Sequence, residues 1–393
     1  MNSEHIYLDH AASTPVREEV IDVMMPYWTD IYGNPSSAHT FGQRASQGLE
    51  NARENISRIL GAAPNEIVFT GCGSESDNIA LRGAMMAARR AGRGNHLITS
   101  IIEHKAVLET AVQLRDAYGF DLTVLPVNKH GQVSPEDVRA ALRDDTVLIS
   151  IMSANNEIGS LQPFLEIGRI ATENGILYHT DAIQASATFE WNLSEMPIDL
   201  LSLAPHKFYG PKGIGILYVR EGIDLVPPLT GGGQEAGRRS GTVNVPFAVG
   251  AAEALKLASE NRLNDLEHYS RLRDRLISGI LRNHSHECIL TGHPFERLHN
   301  HASFTFRGIS GNDLLIHLDA RGVSASSGSA CLTGDPKPSK TLEALGLDPA
   351  WTGGGLRLTV GRQNSSADID FVLEILPDVI AKIRNLSGKY NAA

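Results

Sequence analysis

The stretch Glu66–Ser100, EIVFTGCGSESDNIALRGAMMAARRAGRGNHLITS, sets the reading of the chain. EIVFT at 66–70 is a short β-branched run and GCGS at 71–74 a glycine turn. SDNIALRGAMMAARRA at 76–91 has helical spacing, and HLITS at 96–100 is a second strand. Strand, helix, strand on that scale is the unit of a parallel sheet covered by helices. Upstream, a helix is expected from about Ala38 to Leu60, with Ser36 and Ser37 offering N-caps and Gly61 closing it. Downstream, a helix follows from about His104. Further strands are expected near Leu122–Val127, Val147–Ser153, Ile176–His179, Asp199–Ala204 and Gly213–Val219. Buried runs separated in this way predict an α/β fold with a parallel or mostly parallel sheet. After about Val243 the rhythm changes. One long helical stretch runs from roughly Val245 to Arg282, and short strands at 303–307 and 356–360 then mix with helices. A smaller α+β lobe, joined through that long helix, is the expectation.

The 393 residues suffice for two lobes, and 42% hydrophobic with 20% charged residues is an ordinary globular balance. A net charge of -10 argues against general nucleic-acid binding, which depends on neutralising phosphates. No apolar run reaches the roughly 18 residues that span a bilayer. The opening MNSEHIYLDHAAST lacks the features of a signal peptide, so a cytoplasmic location is expected. Three cysteines, Cys72, Cys288 and Cys331, make no disulfide framework. His284, His286 and Cys288 alternate as on a strand, but no second ligand group lies near, and no metal site is expected.

Three local patterns carry chemistry. In SLAPHKFYGPKGIGILY (202–218), Lys207 sits between a strand end and a Gly/Pro turn. A lysine confined in a cleft loses basicity through desolvation and neighbouring cations, and its neutral amine can add to an aldehyde. Taken alone, it reads more readily as one surface lysine among many. Asp181, in HTDAIQ (179–184), follows a buried strand at the carboxyl edge of the sheet, where α/β folds bind ligands. It suits a pyridinium nitrogen, or, more simply, a helix N-cap. The turn Gly71–Ser74 offers backbone N–H groups and a hydroxyl to a phosphate. Phosphate cup, ring partner and amine, in that order, point to pyridoxal phosphate (PLP).

The motifs YLDHAAST (7–14), YGNPSSAH (32–39), GSESDN (73–78), EHKAVL (103–108) and ANNEIG (154–159) occur in order. HTDAIQA (179–185), HKFYGPKGIG (206–215), RRSGTVN (238–244), SSGSAC (326–331) and LRLTVGR (356–362) follow. With them the chain resembles, over nearly its whole length, the cysteine desulfurases of group I (NifS/IscS-like). These are PLP enzymes of fold type I within the class V aminotransferases. The resemblance implies a large domain, 15–258, with a mostly parallel seven-stranded sheet. It also implies a small domain from 1–14 and 259–393 that carries a nucleophilic cysteine. The implied activity converts L-cysteine to L-alanine, with sulfur held as a persulfide on Cys331. An acceptor protein, an iron–sulfur scaffold or a thiolation protein, would then take it.

The same resemblance implies the roles. Lys207 is similar to the aldimine lysine, Asp181 to the partner of the ring nitrogen, and Gln184 to a donor to the ring hydroxyl. His104 resembles the imidazole stacked on the ring, which also takes the thiol proton. Gly73, Ser74 and His206 resemble phosphate contacts, and Thr242 one that reaches across a homodimer interface. Asn156 and Arg357 are similar to the holders of the substrate carboxylate. The guanidinium suits that task through two parallel hydrogen bonds. Small and turn-forming residues around Cys331 favour an exposed nucleophile over a buried thiol. Cys72 is read as structural. The chain also departs from the pattern. Ala204 stands where a hydroxyl residue is common, Pro205 where a small one is usual, Ala236 where a basic one is frequent, and Leu332 where a small polar one is. The rival readings are another fold type I reaction, selenocysteine lyase or aminotransferase, and a relative without activity.

Overall fold

The computed structural model describes residues 5–327 and 339–390. Seven strands form the large sheet, in the spatial order Ile67–Thr70, Gly215–Val219, Leu200–Leu203, Leu177–Asp181, Thr146–Ser150, His96–Ser100, Asp121–Leu125. Six run parallel, and Gly215–Val219 alone is antiparallel to both neighbours. That makes a mostly parallel sheet. Alternation along each strand feeds two cores. Ile67, Phe69, Ile98, Ile149, Leu201 and Ile216 face one way, against the helices Thr40–Leu60, Phe164–Glu173 and Val245–Glu260. Val68, Leu97, Leu148, Leu200 and Leu217 face the other, against Gly73–Arg90 and Lys105–Tyr118. With both faces covered, the strands need continuous apolar runs.

The antiparallel strand has a positional consequence. The segments that follow the six parallel strands all emerge at one edge of the sheet, and five of them carry expected site residues. These are Gly71–Ser74, the turn to His104, the loop to Asn156, Asp181 with Gln184, and Lys207.

A separate core holds Leu272, Leu276, Phe304, Leu314, Leu358 and Ile369, built on the antiparallel strands Cys288–Leu290, His301–Phe306 and Gly355–Thr359. Leu8 packs into this core, and Ile6–Tyr7 pairs in parallel with Val323–Ser324. The long helical stretch is two helices, Val245–Glu260 and Arg262–Asn283, broken at Asn261. The Asn261 side chain bonds back to the Leu257 carbonyl, a local alternative to helix continuation. The first long helix starts at Thr40 and is capped by His39, whose Nδ1 accepts the Gly42 N–H. Ser36 and Ser37 do not cap it. They are held in a turn in which Asn34 accepts both of their N–H groups. Gly61, at φ 62°, closes the helix as expected.

Candidate active site

Lys207 lies on a short turn, Pro205–Lys207, just past the strand Leu200–Leu203. Its Nζ donates to the carbonyls of Ala11 at 2.6 Å and Ala12 at 2.8 Å. Both acceptors are neutral, so nothing in this cradle stabilises an ammonium as a carboxylate would. Burial, then the nearby Arg357 cation, brings the amine down to about 8, against the smaller opposing pull of Asp181 and Asp9. Two residues on, Tyr209 is held at φ 66°, a costly conformation for a side-chain-bearing residue. It is fixed by Thr14, which accepts its N–H at 2.7 Å, and by its own hydroxyl, which accepts the Arg362 N–H at 2.8 Å.

Asp181 ends the strand Leu177–Asp181 and is buried. One carboxyl oxygen accepts the Ile183 N–H at 2.9 Å. Burial raises its pKa, against the opposing influence of His104, the Ile183 N–H and Lys207. Behind it sits Asp77, with no exposure and no hydrogen-bond partner on either oxygen. Ligand atoms of Asp77, Asp181 and His104 lie within 4.8 Å of one another. Two carboxyls this close in a dry site do not both ionise. Asp181 has a donor and Lys207 near it, whereas burial and Asp181 push Asp77 well upward, so Asp77 is the one of the two that keeps its proton. His179, 3.6 Å from Asp77, is lowered to about 3 by burial and stays neutral. Glu103, buried beside this group, is raised to about 8 by burial although Ser100 and the Met152 N–H both donate to it.

His104 is exposed and caps the helix Lys105–Tyr118, its Nδ1 accepting the Ala106 N–H at 3.1 Å. With Nδ1 so engaged, taking a proton there requires the cap to break. Gln184 donates to the Ala11 carbonyl at 2.9 Å, the oxygen that also receives Lys207. His206 lies 3.3 Å from the Ser13 hydroxyl and is lowered to about 4, by burial and then by Lys207 and Lys212.

Gly73 opens the helix Gly73–Arg90, and its N-cap Cys72 makes no side-chain cap bond. A β-carbon at Gly73 would lie 2.4 Å from Ile183 Cδ1, so a larger residue there would force the Ile183 side chain to shift. Ala204, buried beside it, offers no hydroxyl. Cys72 is a free, exposed thiol; Cys288 is buried in the small-lobe core, its thiol pushed up to about 12 by burial. The Gly71–Ser74 turn is braced by Glu75, which accepts the Gly71 N–H at 2.6 Å and pairs with Arg239 at 2.8 Å. Glu235 receives both Arg53 Nη groups and the Phe69 N–H. Ala236 follows at φ 54°, and Thr242, farther along, is exposed.

Arg357, on the strand Gly355–Thr359, donates from Nη1 to the Asn156 carbonyl at 2.8 Å and from Nη2 to Asp9 at 2.7 Å. Its Nε is buried without a partner among the described residues. Cys331 lies outside the described residues, but the chain on either side of its segment is held at the site. Ser326 exchanges backbone hydrogen bonds with Arg357, and the Ser339 hydroxyl donates to Glu157 at 2.6 Å. Asp9, Asp77 and Glu103 are the site residues that reading the sequence did not single out. All three lie inside quoted motifs, which was the available signal.

These residues fit pyridoxal phosphate. A buried Asp181 short of donors suits a ring N–H, a weakly basic amine suits the aldehyde, and the helix at Gly73 starts uncapped. Comparison with known proteins agrees. The aminotransferase class-V profile matches residues 6–372. Cysteine desulfurase IscS of Methanosarcina thermophila is 48% identical over 382 residues, 97% of this chain and 93% of that one. A solved NifS-like protein superposes with a TM-score of 0.89 at 35% identity, covering 96% and 99% of the two chains. The structure of SspA in complex with cysteine gives 0.79 at 37% identity, covering 92% and 100%.

Proposed function

As a member of the aminotransferase class-V family, to which it belongs, the chain is a pyridoxal phosphate-dependent cysteine desulfurase, and we propose that it holds the released sulfur on Cys331. The observation that carries the proposal is a convergence. A weakly basic Lys207 and a buried Asp181 share one sheet edge, and both flanks of the Cys331 segment are hydrogen-bonded near it.

Bound pyridoxal phosphate draws electrons from the substrate α-carbon into its ring and so loosens the β-substituent. The chain does the rest. Lys207 anchors the cofactor and then moves protons at the substrate carbons. Asp181 holds a proton on the ring nitrogen, Gln184 faces the ring hydroxyl, and His104 covers the ring. Gly73, Ser74 and His206 take the phosphate, helped by Thr242 of a second copy. Asn156 and Arg357 hold the substrate carboxylate. The Cys331 thiolate attacks the substrate sulfur; the S–S bond forms, the Cβ–S bond breaks, and the β-carbon takes a proton and leaves as L-alanine. Cys331 is four residues beyond Ser327, a reach of at most about 14 Å.

A homodimer is part of the reading. Trp28, edge-on to Phe247, and Tyr32, beside Phe41, leave large apolar groups exposed. The sulfur then passes to an acceptor protein, an iron–sulfur scaffold or a thiolation protein, in the cytoplasm. Among the described residues no helix is long and apolar enough to cross a membrane. The test is one turnover with L-cysteine followed by alkylation. Equal amounts of alanine and of a trapped persulfide on Cys331 are expected; persulfide on Cys72 or Cys288 instead would overturn the assignment.

A further inference from the structure

Arg357 is held in an incomplete way. Among the described residues, one of its five N–H donors goes to the Asn156 carbonyl and one to Asp9, while the buried Nε–H has no partner. The unused Nε–H and a remaining Nη2–H form the side edge of the guanidinium, the fork that grips a carboxylate by two parallel bonds. Asp9 reaches the cation at Nη2 and leaves the Nε–H of that edge unfilled.

Asp9 is also tied to the lysine cradle. It begins the turn in which the N–H groups of Ala12 and Ser13 point back to the Asp9 carbonyl. The carbonyls of Ala11 and Ala12 in that turn receive Lys207. Tyr7 clamps the turn, its hydroxyl donating to the carbonyls of Asp9 at 3.0 Å and Ser13 at 2.9 Å. The Ala11 N–H donates to the hydroxyl of Thr359, on the strand of Arg357. One short segment thus fixes both the amine and the guanidinium.

Building on the reading of Arg357 as the carboxylate holder, we propose that Asp9 is the positioning residue that sets the guanidinium edge for the substrate carboxylate. It works by restraint, since a long side chain held at two Nη atoms has little freedom left to lose when the carboxylate docks. It works also by charge. Asp9 offsets the Arg357 cation beside Lys207, and the two act on that amine in opposite directions. An aspartate bound on the side edge itself would compete with substrate, and its removal would tighten binding. The free Nε–H argues for the opposite sign.

The test compares two inhibitors of the holoenzyme that each keep half of the substrate. 3-Mercaptopropionate has the carboxylate and no amine, and cysteamine has the amine and no carboxylate. Asp9→Ala should weaken 3-mercaptopropionate by about tenfold, the scale of one charge-assisted hydrogen bond, and leave cysteamine unchanged. Asp9→Asn, which keeps an acceptor oxygen, should recover most of the loss. KM for L-cysteine should rise in parallel, with kcat far less affected. Equal weakening of both inhibitors would indicate general damage and overturn the inference, as would tighter or unchanged binding of 3-mercaptopropionate. Arg357→Ala is the control. If it too spares 3-mercaptopropionate, the carboxylate reading of Arg357 fails; if it loses that binding while Asp9→Ala does not, the role of Asp9 alone is refuted.

Discussion

Replacing Arg357 by alanine should raise the pH at which the cofactor-free protein captures pyridoxal phosphate. Lys207 is brought to about 8 by burial first and by Arg357 second. At pH 7.5 an amine with a pKa of 8 is about 24% neutral, whereas an ordinary lysine near 10.4 is about 0.1% neutral, a gain of roughly 200-fold in reactive amine. Removing the like charge should return the amine upward by about one unit, cutting the neutral fraction at pH 7.5 by roughly eightfold. Growth of the visible band after mixing, followed from about pH 6.5 to 10, reads this directly. The cofactor's own ionisations are common to both proteins and drop out of the difference. A midpoint that stays in place or moves down in Arg357→Ala would refute the assignment of this cation to Lys207.

Glu235→Ala should cost about 2–3 kcal/mol in urea unfolding, because it removes the buried acceptor of both Arg53 Nη groups and of the Phe69 N–H, while Arg53 keeps Glu50 and the Ile67 carbonyl. A loss under about 1 kcal/mol would show that the pair is not holding the 231–243 segment. Cys331→Ala should keep the colour of the bound cofactor and form no alanine from cysteine; continued turnover would remove Cys331 from the mechanism. Glu103, raised to about 8 by burial, binds a proton in the native state that the unfolded chain has already released. Its contribution is therefore full below about pH 4.3 and is lost as pH rises through about 8, at up to about 1.4 kcal/mol per unit. Glu103→Gln should flatten the decline of apoprotein stability between about pH 5 and 8, and parallel curves would contradict the burial argument.

The parallel strands were legible because burial on both faces demands runs such as VLIS and IVF, which periodicity detects. The reversed direction of Gly215–Val219 was not, since a strand buried on both faces has the same composition either way. The break at Asn261 escaped notice because the apolar spacing resumes beyond it, and one side chain bonding back to Leu257 ends the helix. Ser36 and Ser37 look like caps in isolation, yet Asn34 consumes their N–H groups three residues before the helix begins. In the site, Lys207, Asp181 and Arg357 could be named because motif and chemistry coincide. Asp77 and Glu103 could not be given roles, because a charged residue in sequence reads as solvent-facing. Only the fold shows that both lie in the dry layer behind Asp181.

Borohydride reduction of the coloured holoenzyme, followed by peptide mass mapping, locates the amine that holds the cofactor. The expected result is a single phosphopyridoxyl adduct on Lys207, absent from Lys207→Ala. An adduct on Lys212 or another lysine, with Lys207 unmodified, would contradict the site as a whole.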